Sequence, residues 1–493
     1  MNQVIILNVR KGIPGFIPME EAFLASALKV LGTRDIEIRS VLPHQMEACV
    51  QDIARRPADT TRVLLWESAS YKSCQSLLDY FRLAGDIRAH SGVFLAAGGY
   101  WASTLTEAYP VHFQPFDLVL SGFALDKAAQ AFDAGTKGGN PLPAVDVSGP
   151  CDWNAYELDL SPISTLETYV GNGYVSGYRT TFGCPKNCYF CYNNMLRNQG
   201  ARYFERDLEK IERDVQSIME KYDNAALQIK DRNFFCNKKR AFAVIDMLRS
   251  MGVTITSNLD ITVNDAQEDI FAKCRDSGVN SMFFGLESLH QESLERFNKT
   301  YPLAKLEKLF EYGDKYEITL NGCLLLGLPW QTAEIIREDV RKAFTYMNDF
   351  KFLRINFNNY HPLIDTAVQQ QYFPDVADKL SLEELHEVYN FRATPEMQHK
   401  LYGPAFDGMN FEKLRMHALA LNSISLLEHY HIPEEMYWLL SPIKELIRDN
   451  VMKSSEDNII NKYLTADRIV EIRRSITRIS IELKKVFGMF QRS

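Results

Sequence analysis

Gly183-Cys184-Pro185-Lys186-Asn187-Cys188-Tyr189-Phe190-Cys191-Tyr192 decides how this chain is read. Three cysteines stand at C-x3-C-x2-C spacing, with an aromatic residue before the third. Thiolates are soft ligands for iron, and Fe–S clusters are normally held by cysteine. A [4Fe–4S] cluster held by only three cysteines leaves one iron open to a small chelating molecule. A structural zinc site usually takes a full tetrahedral set, often as two C-x2-C pairs, and no second pair occurs here. A disulfide reading leaves one thiol over and needs an oxidising compartment. The loop therefore favours an iron cluster with an open site.

Upstream, residues 1–133 alternate short apolar runs with helical patterns. Val4–Val9, Ile36–Val41, Arg62–Trp66, Val93–Ala97 and Phe116–Leu120 read as strands. Met19–Leu31, His44–Arg56, Ser73–Ala89 and Ala124–Ala134 read as helices. This alternation predicts a doubly wound, Rossmann-like parallel sheet, whose ligands bind at the carboxyl ends of the strands. Gly135, Gly138, Gly139, Pro141, Pro143, Gly149 and Pro150 then mark residues 134–164 as a linker.

Downstream, residues 165–370 form a second β/α series. Tyr174–Thr181, Ala226–Lys230, Val253–Asn258, Ser281–Phe284, Thr319–Leu326 and Phe352–Tyr360 read as its strands, and Glu205–Tyr222 as its first long helix. These units predict a partial (β/α)6 barrel with its active site at the strands' carboxyl ends. Residues 371–493 lose the alternation. Ser381–Phe391, Phe411–His429 and Ala466–Phe490 predict a helical C-terminal domain that shapes a substrate pocket. The fold class is α/β.

The net charge of -8, with both signs interspersed, gives no electrostatic case for nucleic acid. No apolar run approaches the roughly 18 residues of a membrane span, and Met1–Val9 lacks the flanks of a signal peptide. Nine cysteines, three of them clustered, are expected in a reducing cytoplasm.

The cysteine loop resembles the signature of the radical S-adenosylmethionine (SAM) superfamily. The resemblance implies that SAM chelates the free iron and is cleaved by one electron to a 5′-deoxyadenosyl radical. Later segments are similar to that family in the same order: Asp231-Arg232-Asn233-Phe234 to D-D-N-F, with Arg232 for the second Asp; Gly285-Leu286-Glu287-Ser288 to G-I-E-S; and Gly327-Leu328-Pro329 to G-L-P. By this resemblance Cys184, Cys188 and Cys191 hold the cluster, while Phe190, Asp231, Glu287 and Ser288 contact SAM.

The N-terminal domain resembles the cobalamin-binding domain that precedes many radical SAM domains. Gly98-Gly99 after the fourth strand and Phe116-Asp117-Leu118-Val119-Leu120-Ser121-Gly122 carry the likeness. The D-x-H-x-x-G signature, whose His binds cobalt from below, is absent. Trp66, Ser68, Tyr71, Gly98, Gly99, Ser121 and Gly122 are the implied cobalamin contacts, with Trp66 or Tyr71 under the cobalt.

The activity this implies is a cobalamin-dependent radical SAM methyltransferase acting on an unactivated carbon of a small molecule, supplied with electrons by a flavodoxin or ferredoxin. The same resemblance covers ring contraction, cyclisation or other rearrangement without methyl transfer. A non-enzymatic Fe–S or cobalamin carrier is the reading from another class.

Overall fold

The sequence Gln3-Val4-Ile5-Ile6-Leu7-Asn8-Val9 is apolar on both faces, and from Val4 onward every residue of this strand, β1, is buried. Such a run suits the interior of a parallel sheet covered on both sides. In the computed structural model, which describes residues 3–9, 17–33, 35–68, 76–150, 152–164, 174–221, 226–256, 259–389 and 395–402, β1 is central. It pairs with β2 (Asp35–Val41) on one side and β3 (Thr61–Glu67) on the other. β4 (Phe94–Gly99), β5 (Leu118–Ser121) and β6 (Val145–Asp146) follow, giving the order β2-β1-β3-β4-β5-β6 with parallel registers throughout. Chain direction across the sheet reverses between β1 and β3, where doubly wound sheets form their ligand crevice.

Helices Met19–Val30, Met46–Ala54, Leu77–His90 and Leu125–Ala134 connect the strands as expected. A short helix, Tyr100–Leu105, follows β4 directly. The expected linker is more ordered than its glycines and prolines imply. Val145–Asp146 adds β6 to the sheet, and Ile163 bridges to Ile38 of β2. Trp153 stacks on Phe182 at 3.7 Å and 3°. The Gly and Pro residues punctuate turns, while the apolar residues between them anchor the segment.

The second β/α series begins with a break. The strand expected over Tyr174–Thr181 is two, β7 (Tyr174–Tyr178) and β8 (Thr181–Gly183). β8 turns back on β9 (Tyr203–Glu205) as an antiparallel hairpin, so the long helix starts at Leu208 instead of Glu205. β10 (Ala226–Ile229) pairs in parallel with β7. The strand expected at Val253–Asn258 contributes one bridge, Ile255 to Leu227, and the regular strand β11 is Leu259–Ile261. β12 (Ser281–Glu287), β13 (Thr319–Leu326) and β14 (Leu353–Asn359) complete the series, with β13 and β14 parallel.

The chain divides into two compact units. The first holds residues 1–282, 297–299 and 362–390; the second holds 283–296, 300–361 and 391–493. Of the predicted C-terminal helices, Leu382–Tyr389 is present, and Phe411–His429 and Ala466–Phe490 lie outside the described residues. No helix among the described residues is long and apolar enough to cross a membrane.

Candidate metal centre

The first unit builds the cysteine loop from the β8–β9 hairpin. Gly183 ends β8 at φ +73°, and a Cβ there would lie 2.4 Å from the Arg202 carbonyl oxygen. Only glycine lets the chain pass, and Cys184 N then donates to that oxygen at 3.1 Å. Arg197 Nη2 donates to the carbonyls of Pro185 (3.1 Å) and Lys186 (2.8 Å). Asn194 Nδ2 holds the Cys188 carbonyl at 2.7 Å. Chain far away in sequence closes the other side. Tyr189 N donates to Phe297 O at 3.0 Å, and Val368 N donates to Tyr189 O at 3.1 Å. Asn298 Nδ2 donates to Asn187 O at 2.8 Å.

The three thiols are half-buried. Burial pushes the Cys184 thiol up to about 12; a hydrogen bond from the Lys186 backbone opposes this, and Cys191, Cys188 and Cys236 nearby add to it. The sulfurs thus stand within electrostatic reach of one another. A cation among them reverses the effect, because metal binding deprotonates thiols. Asn193 Nδ2 already donates to Cys191 Sγ at 3.3 Å. Three soft donors on one loop fit an iron cluster. Among the described residues no three His, Cys, Asp or Glu side chains are set around one metal position; the cysteines of a [4Fe–4S] cluster each bind a different iron, so a cluster does not ask for that arrangement.

Phe190 is half-buried and meets Phe297 edge-on, with ring centroids 4.7 Å apart. Asp231 is buried and supports the loop from beneath. Its Oδ1 accepts from Thr180 N (2.6 Å) and Thr181 N (3.1 Å), and its Oδ2 accepts from the Thr180 hydroxyl. Arg240 reinforces the same turn, donating to Thr180 Oγ1 at 3.1 Å and Thr180 O at 2.7 Å. Burial raises the Asp231 carboxyl pKa against these stabilising contacts.

Asp265 acts as a tie: Oδ1 is 3.1 Å from Lys186 Nζ in the cysteine loop, and Oδ2 accepts from Asn233 Nδ2 at 2.8 Å and Thr262 Oγ1 at 2.6 Å. Its partners come from three loops, so spacing alone gives no signal for it.

Glu287 and Ser288 belong to the second unit. Glu287 ends β12, is buried, and sits at φ +61°. A non-glycine residue in this region is uncommon and costs about 1–3 kcal/mol, a strain that clusters at functional sites. Ser288 is fully buried. Its hydroxyl donates to Asp339 Oδ2 at 2.7 Å and accepts from His290 N at 3.1 Å, so it anchors the helix Ala333–Asp349.

At the carboxyl ends of the N-terminal sheet, Trp66 is fully buried, with Nε1 3.5 Å from Glu20 Oε2. A Cβ on Gly98 would lie 2.5 Å from Trp66 Cε3, and one on Gly99 (φ +78°) 2.2 Å from Glu67 O. The glycine pair therefore makes room for the Trp66 ring and the β3 backbone. Ser68 Oγ donates to Glu21 Oε1 at 3.1 Å. Ser121 O accepts from Val147 N at 2.8 Å, and Gly122 N donates to Ser103 Oγ at 2.9 Å. Tyr71 lies outside the described residues.

A three-cysteine loop set on a β/α series defines a class, and the sequence comparison agrees. Residues 178–342 match the radical SAM superfamily. The chain carries a radical SAM domain, which implies a [4Fe–4S] cluster and SAM. Among curated relatives, it is 24% identical over 186 residues to an uncharacterized methyltransferase of Pyrococcus horikoshii, covering 38% of this chain and 39% of that one. It is 27% identical over 183 residues to the bacteriochlorophyllide d C-8(2)-methyltransferase of Chlorobaculum tepidum, covering 35% and 40%. The matched region is thus about two fifths of the length of these relatives. Its fold is similar to that of the radical SAM methyltransferase TsrM from Kitasatospora setae, solved with cobalamin and a [4Fe–4S] cluster. The TM-score is 0.61 at 16% identity, over 91% of this chain and all of that one.

Proposed function

We propose that this chain is a cobalamin-dependent radical SAM enzyme that methylates an unactivated carbon of a small-molecule substrate. The observation that carries the reading is the superfamily match over residues 178–342, which encloses all three loop cysteines. The methyltransferase-named relatives and the fold shared with TsrM support its finer part. When bound, the cluster with SAM supplies a carbon-centred radical, and cobalamin supplies the methyl group.

Cys184, Cys188 and Cys191 hold the cluster. Phe190 offers a flat face to the adenine, and the Glu287 carboxylate accepts hydrogen bonds from the SAM ribose or ammonium. Asp231 serves SAM indirectly, by fixing the Thr180–Thr181 turn. Residues 1–133 take cobalamin at the strand ends, where Ser68, Gly99, Ser121 and Gly122 form the rim. With Trp66 in the core, Tyr71 would be the aromatic candidate beside a bound cobalamin. Residues 165–370 house the radical chemistry, residues 371–493 shape the substrate pocket, and a flavodoxin or ferredoxin supplies electrons.

Product counting tests the assignment. The anaerobically reconstituted chain, given SAM, cobalamin, reductant and substrate, is expected to release S-adenosylhomocysteine and 5′-deoxyadenosine in equal amounts. Release of 5′-deoxyadenosine alone overturns methyl transfer in favour of rearrangement. Release of neither overturns the enzyme reading.

A further inference from the structure

Arg232 stands where the resembling segment carries an aspartate, and the structure places that reversed charge beside the cysteine loop. It follows Asp231 at the carboxyl end of β10. Its guanidinium carbon is 4.7 Å from the centroid of the Tyr192 ring, and Tyr192 follows Cys191 directly. Burial works against the guanidinium charge, while Tyr192, Asp260, Cys191 and Glu20 favour it, with the net effect of holding it protonated. Lys230, two residues earlier, is a second enclosed cation, and burial lowers its pKa. The counter-charge is Asp260 on β11. Burial pushes its carboxyl up to about 7, against the pull of Arg232 and Lys230.

The three groups are enclosed by protein, yet each keeps some accessible surface. Arg232 and Lys230 thus face Asp260, which is incompletely ionised near neutrality, with the Glu20 and Asp231 carboxyls also within electrostatic reach, and Arg232 is the cation held against the loop by the Tyr192 ring. The Asn193 N–H on Cys191 Sγ acts on the loop with the same sign as the Arg232 charge. Reduction of a cluster adds one negative charge without adding a proton at these residues. Nearby positive charge stabilises the reduced form, salt screens a buried charge weakly, and net charge and hydrogen bonds to sulfur are recognised controls of cluster potential.

We propose that Arg232, carried against the cysteine loop by the Tyr192 ring, sets the reduction potential of the cluster on Cys184, Cys188 and Cys191, holding it less negative than the loop alone would. The inference rests on the cluster reading above, and it makes Arg232 a positioning residue that acts through the cluster.

The test is an EPR-monitored redox titration of the full chain, reconstituted with iron and sulfide, at one alkaline pH where Asp260 is ionised. Arg232→Met is expected to move the midpoint to a more negative value at unchanged iron content, so that a smaller fraction is reduced at a fixed poise. Arg232→Lys keeps the midpoint near that of the parent chain. Asp260→Asn, which removes the opposing charge, moves it the other way. A midpoint unmoved in Arg232→Met at equal iron content overturns the inference. If Arg232→Met takes up no iron, an unmoved midpoint in Asp260→Asn overturns it. A parent chain that binds no cluster overturns the cluster reading itself, a separate outcome read from iron content alone.

Discussion

Asp231 shows that a residue's place in a motif does not tell which protein groups its side chain holds. Its position after the second barrel strand was legible in the sequence, and a SAM contact was the natural expectation. In the structure both carboxylate oxygens are taken up by Thr180 and Thr181, at the turn that aims β8 toward Cys184. That pairing depends on β7 and β10 lying side by side, a relation across about fifty residues that no local pattern encodes. Asp231→Ala strands two buried backbone donors, at a cost of about 1–3 kcal/mol each. Reconstituted Asp231→Ala is expected to hold less iron per chain than the parent while its far-UV circular dichroism is unchanged. Equal iron in both would show that the turn holds without the carboxylate. Asp265 and Asn193 escaped the sequence for the same reason: their partners are set by folding.

Elements were more legible than residues wherever hydrophobic period decides the structure. β1, β3 and β13 fall within a residue or two of their expected bounds, because a continuous or alternating apolar run has one stable solution. The β8–β9 hairpin was not legible. Arg179-Thr180 reads as strand, and the chain breaks there because Asp231 and Arg240 pull the Thr180 backbone out of line. The glycine pair after β4 teaches a related lesson. Gly98 was expected as a cobalamin contact, and in the structure the Trp66 ring fills the space its Cβ would take. Gly98→Ala therefore overpacks the core between β3 and β4, at a cost of about 1–3 kcal/mol. A lowered melting temperature in ligand-free protein is expected; an unchanged one would mean that the ring yields.

For the molecule as a whole, the order of β/α units and of motifs along the chain carried the class of fold, since each strand and loop follows from local chemistry. The ordered part of residues 134–164 was hidden, because Gly and Pro are read as breaks even when Trp153 and Ile163 beyond them are buried. Global stability should also carry a mark of the enclosed charges. The Asp260 carboxyl is held above its ordinary value of 3.8, at about 7, by burial. A raised carboxyl pKa favours the folded state while the group is protonated, and this contribution is lost as pH rises from the unfolded value through the folded one. Asp260→Asn removes that loss. The melting-temperature difference between Asp260→Asn and the parent is expected to grow in the variant's favour from acid to neutral pH. A difference that stays constant with pH would show that the Asp260 carboxyl has the same pKa folded and unfolded.

The clasp on the cysteine loop also fixes an order of events in time. Tyr189 is bonded on one side to Phe297 and on the other to Val368, and Asn187 to Asn298. A ribosome that has just released Cys191 has delivered all three loop cysteines and none of this clasp. The loop takes its shape only after some 177 further residues (191 to 368) have emerged. A chain that stops short of Val368 therefore carries the three thiols without the full clasp that holds them in place.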